Sequence, residues 1–526
     1  MGTPEAALNS GFGSDVPFAG FRYVDFTILK TALHYLDANT NGTTFKGAWD
    51  RPNTLLNTVT FGLFEDYYEK VLGHEGVATT NASGDGEFEG YTYYVPNETD
   101  NTKYDVYVLA DSAIYTPKIS QDLFRDMTAL TTVDTTNMDV SRTENMQAMF
   151  RDCHVLTSID VSNWDVSNVS TMKQAFLYCK QLSTIDVSEW DLSGVASLNR
   201  MFYGCPELTY LDVSDWETGN VTDMTCLFYD CVKLNNLVVS GWDVSQVTTM
   251  TSMFQGCHAL AYLDVDEWDV GNVVSFESMF SCAYKAREGM ILTDINLDEW
   301  DTSSATSMRN MFYGCAELTE LDLSKWNVSN VTDMHHMFTC CKKIETINLS
   351  GWDTSSLLTI NGMFHSCIAL KTINVSDLDT QNVTDMGQVF ESCTSITQII
   401  GLEKWNTSNV LYMYEMFFHC GQYGANGEYG GNMQVLDLSS FNTSQVINTE
   451  NMFNCCDRLQ TIYVGDGWDM SKVTNSDGMF NSCSSLVGGN GTEFNYAIVD
   501  KTYAHVDGGE ENPGYLTLLP ADNTNP

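Results

Sequence analysis

The stretch MFYGCPELTYLDVSDWETGNVTDM, residues 201–224, is one copy of a unit that recurs along most of the chain. Its phenylalanine, Phe202, has equivalents 26 residues away on both sides, Phe176 and Phe228. Most steps between successive phenylalanines of this kind are 26 residues long; one step is 32, one is 36 and two are 27. The fourteen aligned residues are Phe124, Phe150, Phe176, Phe202, Phe228, Phe254, Phe280, Phe312, Phe338, Phe364, Phe390, Phe417, Phe453 and Phe480. Chance does not keep such a register, so the fold is built from stacked copies of one structural unit.

The apolar residues of each unit predict one helix and one short strand. Val221, Met224 and Phe228 have the spacing of one helical face, whereas Leu237 and Val239 alternate as in a strand. Stacking such rungs would place equivalent strands about 4.8 Å apart. The sequence therefore predicts an α/β fold, a leucine-rich-repeat solenoid of about fourteen strand–helix rungs with a parallel sheet, preceded by a small α+β N-terminal domain.

Identical side chains recur at other fixed positions of the unit, and we expect them to stack as columns. Twelve of the 16 cysteines lie three residues after the repeated phenylalanine. A uniform column offers no paired geometry for disulfides, so these positions predict buried free thiols. Asn168 and Asn220 begin N-x-S/T motifs, but their fixed position favours a structural hydrogen bond over glycosylation. The tryptophan column is predicted at Trp164, Trp190, Trp216, Trp242, Trp268, Trp300, Trp326, Trp352, Trp405 and Trp468.

Four segments follow from where the repeat begins and ends. They are an N-terminal domain that would anchor or assemble the protein, a cap of the solenoid, the solenoid itself, and a C-terminal cap and tail: 1–103, 104–122, 123–487 and 488–526. In the first segment we predict helices over residues 26–36 and 51–73 and a strand over 84–95, and a further strand over 103–110 runs from its end into the cap.

The segment DANTNG suggests a calcium loop, because Asp37, Asn39 and Asn41 match its first, third and fifth positions. The position that should carry a bidentate acid is Ala48, so a polar turn at a helix end is favoured over a calcium site.

Charge and missing motifs exclude several function classes. The chain has 25 basic and 69 acidic residues, a net charge of −44, which disfavours nucleic acid or an anionic membrane surface as the partner. No apolar run reaches the length of about 18 residues that a membrane span needs. HExxH, GxSxG, Walker A and complete GxGxxG motifs are absent from the sequence, which predicts no enzyme activity. His335, His336, His365 and His419 are predicted to be exposed on helix surfaces rather than zinc ligands.

The pattern MFxxCxxLxxLDVSxWDVSNVTxM resembles the BspA-like leucine-rich-repeat surface proteins, a family also known from mycoplasma lipoproteins. The resemblance covers residues 104–518 and includes the closing segment that ends in GYLT, but it does not extend to the first hundred residues. It implies surface display, adhesion and recognition without catalysis.

Strand residues that flank the inward-facing pair should point outward and form an acidic ribbon, which in solenoids is the usual partner surface. The alternative is a solvated face that keeps the protein soluble. The ribbon would bind a protein or carbohydrate on a host or neighbouring surface, with no cofactor except loosely held calcium between repelling carboxylates. The partner-binding candidates are Asp160, Asp186, Tyr210, Asp212, Tyr262, Asp264, Glu320 and Asp322.

Three functions fit these expectations. The first is adhesion and recognition by an extracellular or cell-surface protein. This function requires a removed leader or another export route, because the start MGTPEAALNSGFGSDVPF lacks the basic and apolar regions of a signal peptide. The second is host recognition by a virion fibre or decoration protein. The third is a structural role in a surface layer or filament, with self-assembly through the N-terminal domain.

Overall fold

The computed structural model describes residues 56–71, 76–80, 88–100, 102–110, 114–116, 118–282, 289–420 and 433–519. The chain forms two compact units, residues 1–246 and 247–526. The helix predicted over residues 26–36 and the calcium candidates Asp37, Asn39 and Asn41 lie outside the described residues.

In the first unit, a seven-stranded sheet has the order β2-β3-β4-β1-β6-β8-β9. Strands β2, β3 and β4 are antiparallel, whereas β1 is parallel to both β4 and β6. Strands β5 and β7 pair with each other, as do β10 and β11. The elements are β1 Leu56–Leu63, α1 Phe64–Val71, β2 Gly76–Thr80, β3 Phe88–Pro96, β4 Tyr104–Ala110, β5 Ile114–Tyr115, β6 Thr132–Asp134, β7 Met138–Asp139, β8 Ser158–Ile159, β9 Thr184–Ile185, β10 Tyr210–Asp212 and β11 Asn236–Val238.

The helix predicted over residues 51–73 is only partly right, because Leu56–Leu63 is the strand β1 and the helix begins at Phe64. Thr58, Val59 and Thr60 favour an extended backbone. Strand β1 also pairs in parallel with β4 on one side and β6 on the other. The strands predicted over 84–95 and 103–110 are confirmed as β3 and β4. Strand β1 pairs with β6 of the first rung, so strands from both sides of residue 103 lie in one sheet.

In the second unit the strands pair rung to rung in the same way. The pairs β12-β13, β14-β15, β16-β17 and β17-β18 are all parallel, which agrees with the predicted parallel ladder. These strands are β12 Glu320–Asp322, β13 Thr346–Asn348, β14 Thr372–Asn374, β15 Gln398–Ile400, β16 Val435–Leu438, β17 Thr461–Val464 and β18 Thr517–Leu518. Short 3₁₀ turns cover Leu402–Lys404, Lys501–Tyr503 and Gly509–Glu511.

The helix predicted in every rung is wrong: in the described rungs that segment is a series of tight turns, here called the turn stack. The amide of Leu177 donates to the carbonyl of Gln174 in its own rung at 3.2 Å, whereas the amide of Tyr178 donates to Tyr203 in the next rung at 2.7 Å. An α-helix would keep all of these bonds within one segment. Tyr178 has a φ of 59°, in the left-handed region, which an α-helix does not adopt. The turns bury the same residues that a helix would bury, so apolar spacing alone could not separate the two structures.

The inward columns are confirmed. Phe202 stacks on Phe176 with ring centroids 5.5 Å apart, and the thiol of Cys205 donates to the Phe176 carbonyl at 3.2 Å. Trp216 donates through Nε1 to the Val187 carbonyl of the preceding rung at 2.8 Å. None of the 16 cysteines, all of which lie in the described residues, forms a disulfide, and 14 of them are buried.

The asparagines of the N-x-S/T motifs bond to the preceding rung, as predicted. Asn168 Nδ2 donates to the Ser141 carbonyl at 2.8 Å, and Asn220 Nδ2 donates to the Ser193 carbonyl at 2.7 Å. The side-chain nitrogen that a glycan would modify therefore already donates a hydrogen bond to the preceding rung.

The C-terminal segment closes the end of the second unit. Tyr515 is fully buried and packs edge-on against Phe480, with ring centroids 5.2 Å apart. The carboxylate of Asp507 accepts hydrogen bonds from the Thr492 hydroxyl at 2.7 Å and the Gly509 amide at 2.9 Å. Burial alone would raise the pKa of Asp507, but these hydrogen bonds hold it well below its usual range.

Candidate functional site

Four of the predicted partner-binding residues lie on the strand ladder of the first unit. Asp160 and Asp186 are exposed, and Tyr210 is 48% exposed. Asp212 is half-buried on the same strand as Tyr210. The residues between them in the pleat, such as Leu211, are buried, so the predicted alternation of inward and outward side chains is observed.

Each aspartate of this ladder is fixed by a local turn. Asp160 Oδ1 accepts a hydrogen bond from the Ser162 hydroxyl at 2.7 Å, and Asp212 Oδ1 accepts one from the Ser214 hydroxyl at 2.8 Å. The backbone amides of both serines donate to the same oxygens at 3.2 Å. One carboxylate oxygen is thus used inside the rung, and the hydrogen bonds offset part of the repulsion between stacked acids. The Tyr210 hydroxyl lies 3.5 Å from Oδ2, the other carboxylate oxygen of Asp212.

The other four candidates lie in the second unit, and their electrostatics differ. Tyr262 is 64% exposed, and Glu320 and Asp322 are exposed. Hydrogen bonds from the Ser324 hydroxyl and amide lower the pKa of Asp322. Burial, followed by the hydrogen bond and charge of Asp266, raises the pKa of Asp264.

The difference follows from the sequence, because Asp264 is followed by an acid at the position where Asp322 is followed by Ser324. The predicted ribbon is therefore acidic but not uniform.

The outer side chains of the turn stack form a second set of columns that the sequence interpretation treated as helix surface. In the first unit, this surface carries stacked tyrosines, such as Tyr203 and Tyr229 with ring centroids 4.4 Å apart. The signal that could have identified them is the residue directly after the repeated phenylalanine, which is tyrosine in MFYGC and in LFYDC.

In the second unit the same surface carries histidines and acids. The prediction that these histidines are exposed on helices is wrong, because His335, His336, His365 and His419 are all half-buried in the turn stack. Among the described residues, no three His, Cys, Asp or Glu side chains are arranged so that they could hold a metal ion.

The closest acid–imidazole contact of this surface joins His365 Nε2 to Glu391 Oε1 at 3.5 Å. Burial, and then the charge of His336, lowers the pKa of His365 to about 4. Burial, and then the charge of Glu415, raises the pKa of Glu391 to about 7. Between these values both groups are neutral, so the contact is a buried polar pair and not an ion pair.

The thiol column gives no reactive group. Burial raises the pKa of Cys205 to about 12, and the pKa of Cys393 is raised to about 12 for the same reason. Thiols with such pKa values stay protonated at neutral pH and are poor nucleophiles. Their role is to fill the core and bond to the neighbouring rung.

The repeat matches a known family. The family model described as "Mycoplasma protein of unknown function, DUF285" matches residues 119–211, 197–290, 285–373, 341–433 and 368–494. These overlapping matches run from residue 119 to residue 494, which is more than half of the chain.

Three solved structures match the chain over 65–73% of its length. The TLR13–ssRNA13 complex has 14% identity and a TM-score of 0.20, with 73% of this chain and 62% of that chain covered. A Leptospira interrogans LRR protein has 11% identity and a TM-score of 0.18, with 65% and 91% covered. The Arabidopsis receptor kinase HAESA, with the peptide hormone IDA and the co-receptor SERK1, has 15% identity and a TM-score of 0.20, with 66% and 56% covered.

No curated protein matches the chain. In the part of the chain that the structure describes, no helix combines the length and the apolar character needed to cross a lipid bilayer.

Proposed function

The chain belongs to the DUF285 family of mycoplasma-type repeat proteins, and we propose that it is a non-enzymatic recognition protein that binds a partner through the strand ladders of its two units. The partner is a protein or a carbohydrate on a host or neighbouring surface. The likeness of the repeat units to BspA-like surface proteins supports an extracellular or cell-surface location.

The observation that carries the proposal is the pairing of an exposed tyrosine with an oriented carboxylate. Tyr210 and Asp212 lie two residues apart on β10, and the turn to Ser214 fixes the aspartate. A large aromatic side chain in the middle of a polar sheet face, 48% exposed, has no role in the core.

These two residue types suit recognition for different reasons. Tyrosine contributes a large contact area and loses little conformational entropy when bound. A carboxylate held by its own rung does not have to be ordered by the partner, so its charge selects among partners at low entropic cost. The second unit repeats the two residue types with Tyr262 and Asp264, although Asp266 stands where the first unit has Ser214.

The test is retention of the protein on a panel of immobilised extracellular glycoproteins and glycans. We expect the wild-type chain to bind at least one surface of the panel. A strand-face variant with Tyr210→Ser, Asp212→Lys, Tyr262→Ser and Asp264→Lys should fold normally, because none of these side chains is in the core, but should lose that binding.

The matched control carries Glu217→Lys and Glu403→Lys, which change the net charge by the same amount. Both residues are exposed and lie off the strand ladder. This control should bind like the wild type. Normal binding by the strand-face variant, or no binding by the wild type to any surface of the panel, would contradict the proposal.

A further inference from the structure

The turn stack of the first unit carries a surface that the strand-ladder proposal does not use. It is formed by Lys173, Tyr178, Lys180, Arg200, Tyr203 and Tyr229, here called the tyrosine–cation patch. These residues come from three successive rungs, whose repeated phenylalanines are Phe176, Phe202 and Phe228.

The three tyrosines form a compact group. The rings of Tyr203 and Tyr229 are parallel, with an interplanar angle of 2° and centroids 4.4 Å apart. Tyr178 meets Tyr203 at 89° with centroids 5.3 Å apart. One face of the Tyr203 ring is therefore covered by Tyr229, and Tyr178 from the preceding rung contacts Tyr203 in an edge-to-face arrangement.

The backbone makes room for this group. Gly204 has a φ of 69°, and a Cβ at this position would lie only 2.5 Å from the Tyr178 ring. Tyr178 can lie over the neighbouring rung because that residue is a glycine. Tyr178 nevertheless stays 37% exposed, so its position is not explained by burial in the core.

In the described residues, the cations of the patch stay outside the rung-to-rung ion pairs that other lysines of this chain make, although its acidic residues outnumber its basic ones by 69 to 25. Within the described part of the chain, Lys173, Lys180 and Arg200 form no ion pair. Arg200 donates to Asn199 Oδ1 at 3.2 Å, and Lys180 Nζ lies 5.8 Å from the centre of the Tyr178 ring. By contrast, Lys233 pairs with Glu207 of the preceding rung at 2.6 Å.

Two phenols of the patch, Tyr203 and Tyr229, have raised pKa values. Burial, and then the neighbouring phenols of Tyr178 and Tyr229, raises the pKa of Tyr203. Burial, and then the charge of Asp230, raises the pKa of Tyr229. Both hydroxyls thus keep their protons.

We infer that the tyrosine–cation patch is a second docking surface, and that its occupant is an acidic, extended segment of a partner protein. Three unpaired cations favour an anion. Aromatic edges carry partial positive charge and also favour an anion, whereas the flat stacking of a neutral sugar would need an open ring face. Tyrosine and arginine are, moreover, enriched among the residues that dominate protein–protein binding energy.

The experiment measures the affinity of the full chain for two fluorescent probes, a glutamate-rich peptide and a heparin oligosaccharide of matched charge. We expect the peptide to bind, and the triple variant Lys173→Glu, Lys180→Glu and Arg200→Glu to bind it at least about tenfold more weakly, a change of about 1.4 kcal/mol. The same charge change outside the patch, made with Lys70→Glu, Lys103→Glu and Lys118→Glu, should leave most of the affinity intact.

A second variant separates the tyrosines from the charges. Tyr203→Phe with Tyr229→Phe keeps the stacked rings and removes two hydroxyls, so the protein should fold as before and bind the peptide severalfold more weakly. The strand-face substitution Tyr210→Ser should leave peptide binding unchanged, which separates this inference from the proposed function.

Three outcomes would overturn the inference. The first is no binding of the peptide to the wild type, and the second is equal weakening by the patch variant and its charge-matched control. The third is patch-dependent binding of heparin without binding of the peptide, which would assign the surface to an anionic glycan.

Discussion

The turn stacks of the two units have the same backbone but different outer side chains. The residue after the repeated phenylalanine is Tyr203 in one rung of the first unit and His365 in one rung of the second, which also has a tyrosine at this position, Tyr313. In both units the amide two residues after the repeated phenylalanine donates to a carbonyl of the following rung. The Tyr178 amide donates to the Tyr203 carbonyl at 2.7 Å, and the Cys340 amide donates to the His365 carbonyl at 2.8 Å. The backbone lattice therefore does not depend on which side chain stands at this position, so the position can vary with function.

The outer surface of the second unit holds an imidazole and a carboxyl group that each have an unsatisfied atom. In the first unit the tyrosine rings cover one another. In the second unit His365 Nδ1 and Glu391 Oε2 are buried and have no hydrogen-bond partner among the described residues. Unsatisfied buried polar atoms cost stability, so we expect the second surface to be the less stable of the two and the more sensitive to pH.

The largest effect should come from the core that both units share. Phe202→Ala and Phe364→Ala each remove a ring with stacked neighbours on both sides, at 5.5 and 6.0 Å for Phe202 and at 5.7 and 5.6 Å for Phe364. We expect each to lower the free energy of unfolding by about 3–5 kcal/mol, measured by urea denaturation. A clearly smaller loss at one site would show that the two cores are not equivalent.

The second effect belongs to the second unit alone. Because the pKa of Glu391 is raised to about 7, its protonated form is favoured in the folded state, and the wild type loses stability as pH rises from about 4.5 to 7. Glu391→Gln does not ionise, so its stability relative to the wild type should increase over this range, by on the order of 2 kcal/mol at pH 7. Melting temperatures across the range would measure it.

The control for this prediction is Glu345→Gln, which removes an exposed carboxylate that pairs with Lys371 at 3.0 Å. Its difference from the wild type should stay small at every pH, because exposed ion pairs contribute about 0–1 kcal/mol. A Glu391→Gln difference that does not change with pH would contradict the buried neutral pair.

The smallest effect should come from replacing one outer side chain of the first unit's turn stack with the corresponding side chain of the second unit. Tyr203→His places the residue of the second unit at the matching position of the first and removes the stacking on Tyr229. We expect a loss of about 0.5–1.5 kcal/mol and an unchanged circular dichroism spectrum. Global unfolding would mean that the backbone lattice does depend on this side chain.

The sequence predicted which side chains form the buried columns, but it did not predict the backbone conformation between them. The burial of Phe202, Cys205 and Trp216 follows from spacing, because the hydrophobic effect responds to which residues recur and not to how the chain turns between them. The outward position of Tyr210 followed from the same alternation. The uneven acidity of the ribbon could have been predicted too, since Asp264 is followed by Asp266.

The sequence by itself determined the repeat, its length and the parallel ladder, because a fixed period forces equivalent residues into equivalent places. Only the tertiary structure decided between helices and turns. A tight turn whose amide points out of its own rung, as at Tyr178, is stable only when the next rung supplies an acceptor such as the Tyr203 carbonyl. That acceptor lies 25 residues away in the chain, beyond the reach of any local pattern. The tyrosine–cation patch also needed the structure, because its side chains come from three rungs and meet only when those rungs are stacked.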